Sequence, residues 1–100
     1  MVEMLKKQKA SGKLFAAICA SPALVFEPNG LLEGCSGTAY PGLSDKLKDQ
    51  SRVNERVVVS GNCVTSRGPG TTCEYSLELV RILIGEEKAA ELKQKMLINP

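Results

Sequence analysis

The feature that most constrains this chain is a short unbroken apolar run, Leu14-Phe15-Ala16-Ala17-Ile18-Cys19. The run is too short for a typical helix and shows no polar alternation, so it reads as a strand buried on both faces, as in a parallel sheet. Gly12 lies just before it and Ala20-Ser21-Pro22 follows. Pro suits the first turn of a helix, so a short helix is expected over residues 20–27, ended by Pro28-Asn29-Gly30. Cys19 therefore falls where a buried strand turns into a helix.

The other elements follow from pattern. Residues 2–11 read as the end of a polar helix closed by Ser11-Gly12. Residues 37–40 are expected to form a second short strand stopped by Pro41, and residues 44–49 a helical turn capped by Ser44. Residues 56–59 and 62–66 are rich in β-formers, with Ser60-Gly61 as the tight turn of a hairpin. Arg67-Gly68-Pro69-Gly70 is a loop. Thr71 and Glu74 have capping-box spacing, opening a helix to about Ile84 whose apolar stripe is Cys73, Leu77, Val80 and Ile84. Gly85 stops it. A last helix spans residues 86–97, with Ala89, Leu92 (or Lys93) and Met96 on one side. This order is an α/β pattern. A parallel sheet needs cover on both faces, and these elements are too few to complete one. The start reads as cut off within a helix, so residues 1–100 are expected to form only part of a domain.

Composition removes several function classes. The net charge of +2 on 100 residues does not argue for nucleic acid. Lys6, Lys7, Lys9 and Lys13 read as a solvated helix face, with a basic docking patch as the alternative. No apolar run approaches the ~20 residues that span a bilayer, and the charged start has no signal-peptide core. A soluble intracellular protein is expected, with no membrane partner. The chain has no histidine, which excludes Ser-His-Asp and Cys-His mechanisms built from this chain alone and removes the commonest metal ligand. No metal site is expected. The four cysteines, Cys19, Cys35, Cys63 and Cys73, form no C-x-x-C pair and fit no zinc spacing. They read as free thiols, with Cys63 and Cys73 in the core and Cys35 exposed.

Cys19 is the candidate reactive centre. Ligand sites of α/β sheets lie at the carboxyl ends of strands, and a side chain on a sharp strand-to-helix turn stands exposed there. A helix N-terminus favours an anion such as a thiolate, and the backbone N–H of Ala20 would be free to hold an oxyanion. The alternative is a core cysteine, because free Cys is among the most buried residue types. Tyr40 is either a hydrogen-bond donor at the site or a packed aromatic. Arg67 is either an anion or carbonyl ligand or a structural arginine of its loop.

Two segments carry a resemblance. Ala17-Ile18-Cys19-Ala20-Ser21-Pro22 resembles the nucleophile elbow of the ThiJ/PfpI superfamily, and Thr65-Ser66-Arg67-Gly68-Pro69-Gly70-Thr71 resembles a second signature of its parkinsonism-associated ("DJ-one"-like) branch. Residues 28–34 and 85–90 resemble the plant members of that branch. The resemblance implies a flavodoxin-like three-layer α/β sandwich (class I glutamine amidotransferase-like), with this chain matching its C-terminal half. It implies cofactor-independent chemistry: glyoxalase III or protein deglycase activity on methylglyoxal, related α-oxoaldehydes or glycated adducts. It equally implies redox-sensing or holdase chaperone roles in oxidative stress. Cys19 would be the nucleophile, Ala20 the oxyanion donor, and Arg67 and Pro69 would lie beside the substrate near a homodimer interface. The partner Glu of the family comes from the N-terminal half and has no counterpart in residues 1–100, so an inactive fragment is a further expectation. Tyr40 stands where some members carry His, which counts against Cys-His peptidase chemistry. The implied compartment is the cytoplasm or nucleus, or a plastid if a transit peptide precedes these residues.

Overall fold

The computed structural model describes residues 1–95. Helix α1 (Val2–Ala10) leads through Gly12, at φ +78°, into strand β1 (Phe15–Ile18). Strands β2 (Val57–Ser60) and β3 (Cys63–Ser66) form a hairpin, and helices α2 (Thr72–Leu83) and α3 (Glu86–Lys95) follow. The sheet order is β1-β3-β2. Strand β3 pairs parallel with β1, from Phe15↔Cys63 to Ile18↔Ser66, and antiparallel with β2. All four β3 residues are buried, as suits a strand with neighbours on both sides. Strand β1, expected to be buried on both faces, buries Phe15 and Ala17 and leaves Ala16 and Ile18 half-buried, because among the described residues it has a strand neighbour on one side only. Phe15 and Phe26 meet with ring centroids 5.5 Å apart, and Leu31, Leu32 and Leu47 extend this core. No described helix is long and apolar enough to cross a membrane.

Several local expectations shift, each for a visible reason. The helix after Cys19 is a single wide turn, Pro22–Phe26, in which Glu27 donates back to Pro22 O at 3.0 Å. The hairpin turn is Gly61-Asn62, because Ser60 pairs with Cys63. Gly61 takes φ +58°, where Gly is free of the Cβ penalty. Asn62 supports this register: its Nδ2 donates to Lys9 O and Lys13 O, and its carbonyl accepts from Phe15.

Residues 37–40 form no strand. The Thr38 amide donates to the Thr65 side chain (3.0 Å), and the Thr38 hydroxyl donates to Val53 O (2.6 Å). These bonds occupy the segment without a backbone ladder. Residues 44–46 make a short turn, and the Ser44 hydroxyl donates to Pro41 O instead of capping it. The capping box at Thr71 does not form: the Thr71 hydroxyl is engaged by Ser66 and Gly68, and Glu74 pairs with Arg56.

The stripe on α2 is not a core stripe. Cys73 and Ile84 are exposed, and Leu77 and Val80 only half-buried. Cys63 is buried as expected, whereas Cys35 is half-buried against the core. Lys6, Lys7 and Lys13 are solvated, but Lys9 Nζ donates to Leu31 O (2.9 Å) and Glu33 O (2.8 Å), tying α1 to that loop. Helix α3 is described to Lys95, and the expected contribution of Met96 and Leu97 lies outside the described residues.

Candidate active site at the end of strand β1

Strand β1 delivers Cys19 to the carboxyl edge of the sheet. Cys19 takes φ +65°, the one positive φ among the described non-glycine residues. That region costs an L-residue roughly 1–2 kcal/mol, and such a conformation persists only where its surroundings over-determine it. Two backbone bonds do so. The Cys19 amide donates to Ser66 O (3.1 Å), and the Cys19 carbonyl accepts from the Tyr40 amide (2.7 Å). The sharp turn expected from the sequence is present, and the side chain on it is half-buried.

Ala20 follows directly. Among the described residues its amide donates to no carbonyl of the chain, which leaves it available to an oxyanion. The turn behind it, Pro22–Phe26, is only five residues long, so the helix-dipole contribution expected for a thiolate is small. What the local fold supplies is the orientation of the backbone.

Tyr40 enters the site through its backbone amide rather than its hydroxyl, which bonds no described group. Its ring is half exposed, at 49%, and lies against Gly68, where an added Cβ would come 3.6 Å from Cδ1. Arg67 follows β3, and its Nε is buried without a hydrogen-bond partner among the described residues. Pro69 is exposed and begins the short turn Pro69–Thr71. The structure therefore joins Cys19, Ala20, Tyr40 and the Ser66–Gly68 backbone. No hydrogen bond links Arg67 or Pro69 to Cys19 among the described residues.

Sequence reasoning overlooked Ser66 and Thr71. Ser66 O holds the Cys19 amide, and the hydroxyls of the two residues lie 2.5 Å apart in the interior. The available signal was polarity: Thr65-Ser66 closes a strand that is buried throughout. The one buried thiol among the described residues, Cys63, is pushed up to about 12 by burial, a proton-retaining thiol unsuited to nucleophilic work. No carboxylate hydrogen-bonds Cys19, and no three His, Cys, Asp or Glu side chains converge on a metal position, among the described residues. An open groove between β2, α2 and α3, lined by Arg52, Arg56, Leu77 and Lys93, contains none of the candidate residues.

With this geometry in place, similarity to known proteins is informative. A profile of the DJ-1/PfpI family matches residues 1–82. Protein DJ-1 homolog B of Arabidopsis thaliana is 53% identical over 98 residues, which cover 98% of this chain and 22% of that protein. A deglycase of Pyrococcus abyssi is 39% identical over 84 residues, covering 82% of this chain and 50% of that protein. The structure of oxidized Toxoplasma gondii DJ-1 superposes with a TM-score of 0.90 at 44% identity, covering 96% of this chain and 52% of the other. The chain thus spans about half the length of that structure and a quarter or less of the plant relative, and it adopts the corresponding part of the flavodoxin-like α/β fold. By its elbow, its second signature and these similarities, the chain belongs to the DJ-1/PfpI family.

Proposed function

We propose that Cys19 is the nucleophile of a cofactor-independent glyoxalase- or deglycase-type reaction on α-oxoaldehydes such as methylglyoxal, or on their protein adducts. The carrying observation is the left-handed backbone of Cys19, held from both sides by Ser66 and Tyr40. The relationship to a deglycase supports the same reading. In the glyoxalase form, the thiolate sulfur adds to the aldehyde carbon, and the carbonyl electron pair moves to oxygen. The Ala20 amide donates to that oxyanion. A base then removes the proton from the former aldehyde carbon, and its electron pair passes into the neighbouring ketone as an enediolate. The neighbouring carbon and its oxygen are protonated as the oxyanion recloses to the thioester carbonyl. Water cleaves the resulting thioester, releasing lactate and the free thiol, so methylglyoxal and water become lactate with no redox partner.

The acid/base carboxylate is assigned to the N-terminal half that relatives carry, so residues 1–100 alone are expected to lack turnover. The experiment is methylglyoxal consumption by the longest natural chain carrying this sequence. Cys19→Ala should reduce turnover to background, and retained turnover would remove Cys19 from the mechanism. The half-buried, reachable position of Cys19 favours a second reading, a redox sensor in which the thiol is oxidised to sulfenic or sulfinic acid by a peroxide. Selective oxidation of Cys19 by mild peroxide supports that reading, and equal oxidation of Cys35 counts against it.

A further inference from the structure

We infer that Thr71, acting through Ser66 and Gly68, is a positioning residue that holds Cys19 in its left-handed conformation. Thr71 is 6% exposed and Ser66 fully buried. Thr71 Oγ1 lies 2.5 Å from Ser66 Oγ, 3.2 Å from the Gly68 amide nitrogen and 3.0 Å from Gly68 O. Ser66 Oγ in turn lies 2.8 Å from Arg56 O.

Each hydroxyl has one proton to give, and Arg56 O can only accept. One assignment serves both hydroxyls and Arg56 O: the Gly68 amide donates to Thr71, Thr71 donates to Ser66, and Ser66 donates to Arg56 O, while Gly68 O accepts from the Thr71 amide at 2.9 Å. Hydrogen bonds that run in one direction reinforce one another. From outside, the Arg56 guanidinium donates to Gly70 O (2.8 Å) while pairing with Glu74. The loop after β3 is therefore fastened on both sides.

The two bonds that hold Cys19 both lie beside this relay. Ser66, whose hydroxyl is its middle member, supplies the carbonyl that accepts the Cys19 amide. Gly68, its first member, lies beside the Tyr40 ring, and the Tyr40 amide donates to the Cys19 carbonyl. Loss of the Thr71 hydroxyl leaves the Gly68 amide without its acceptor and Ser66 Oγ without its donor. Cys19 can then leave a backbone region that is unfavourable to it.

The inference rests on reading Cys19 as the reactive thiol, but its test reads the thiol and not turnover. In the longest natural chain carrying this sequence, iodoacetamide alkylation of Cys19 and Cys73 is followed by peptide mass spectrometry for wild type, Thr71→Val and Thr71→Ser. Cys73 is exposed and outside the relay, so it serves as the internal control. The expected result is a Cys19 rate shifted threefold or more in Thr71→Val, an unchanged Cys73 rate, and a return to the wild-type Cys19 rate in Thr71→Ser. A Cys19 shift below threefold, an equal shift at Cys73, or no return in Thr71→Ser overturns the assignment. Should Thr71→Val fail to fold, Ser66→Ala cuts the same relay one step further on and is held to the same thresholds. Loss of methylglyoxal turnover as a function of this family member would leave these rates, and this test, unaffected.

Discussion

The β1–β3 edge and the α2–α3 helix pair solve the problem of apolar surface in opposite ways. At the sheet edge, β3 is buried throughout, and β1 buries Phe15 and Ala17 while Ala16 and Ile18 are half-buried. Cys19, the one described non-glycine residue at positive φ, is held there by bonds to Ser66 and Tyr40. In α2 and α3 no described residue is buried, and Leu83 and Ile84 are 67% and 68% exposed. Among the described residues the sheet has three strands and meets α2 through β2 and β3. The apolar run of β1 is thus covered by the chain on its Phe15 and Ala17 face and only partly on the other. An amphipathic stripe marks only a face that some surface must cover.

The sharpest way to break this contrast is to truncate one residue on each side. Phe26→Ala removes the ring that meets Phe15 and should cost about 3–5 kcal/mol, read by denaturant unfolding. A loss under about 1 kcal/mol, the usual size for an ordinary substitution, would show that this core does not hold the fold.

An intermediate effect is expected at Cys63. Burial holds its thiol proton up to about 12, against an ordinary value near 9. A folded pKa raised above the unfolded one means that the native state keeps a proton the unfolded chain releases. The associated stability is present below pH 9 and is lost as pH rises from 9 to 12, by at most about 1.4 kcal/mol per pH unit. Burial raises the Tyr75 phenol in the same direction, so Cys63→Ala should flatten the alkaline slope without abolishing it. An unchanged slope in that variant would separate Cys63 from alkaline unfolding. The smallest effect is expected on the helix side: Leu83→Ala should stay within about 0.5 kcal/mol of wild type, and a loss comparable with that of Phe26→Ala would show that the face is covered.

The elbow was legible in the sequence because its determinants are local: an apolar run, a small residue and a proline in succession. Strand β3 and the loop after it were legible for the same reason. The sequence pattern puts the hairpin turn one residue early, since Ser60-Gly61 and Gly61-Asn62 are both competent turns. What chose between them is Asn62, whose amide reaches Lys9 and Lys13 far away in sequence. Thr71 matched a capping box by spacing, but its hydroxyl is taken by Ser66, a partner that spacing to Glu74 does not disclose. Residues 37–40 look like a strand, yet they bond the Thr65 side chain and the Cys19 carbonyl in place of a neighbouring strand. Cys73 sat on a periodic stripe and is exposed, because periodicity identifies a face without showing that anything covers it.

The account stands on Cys19 being set apart from the other thiols by its backbone, and one measurement addresses this directly. Native wild-type protein is alkylated with limiting iodoacetamide at neutral pH, and the rates at Cys19, Cys35, Cys63 and Cys73 are compared by peptide mass spectrometry. Exposure alone ranks Cys73 first, since it is exposed while Cys19 is half-buried and Cys63 buried. A reactive elbow ranks Cys19 first in spite of its lower exposure. Cys19 faster than Cys73 is the predicted result, and Cys73 faster than Cys19 would contradict it.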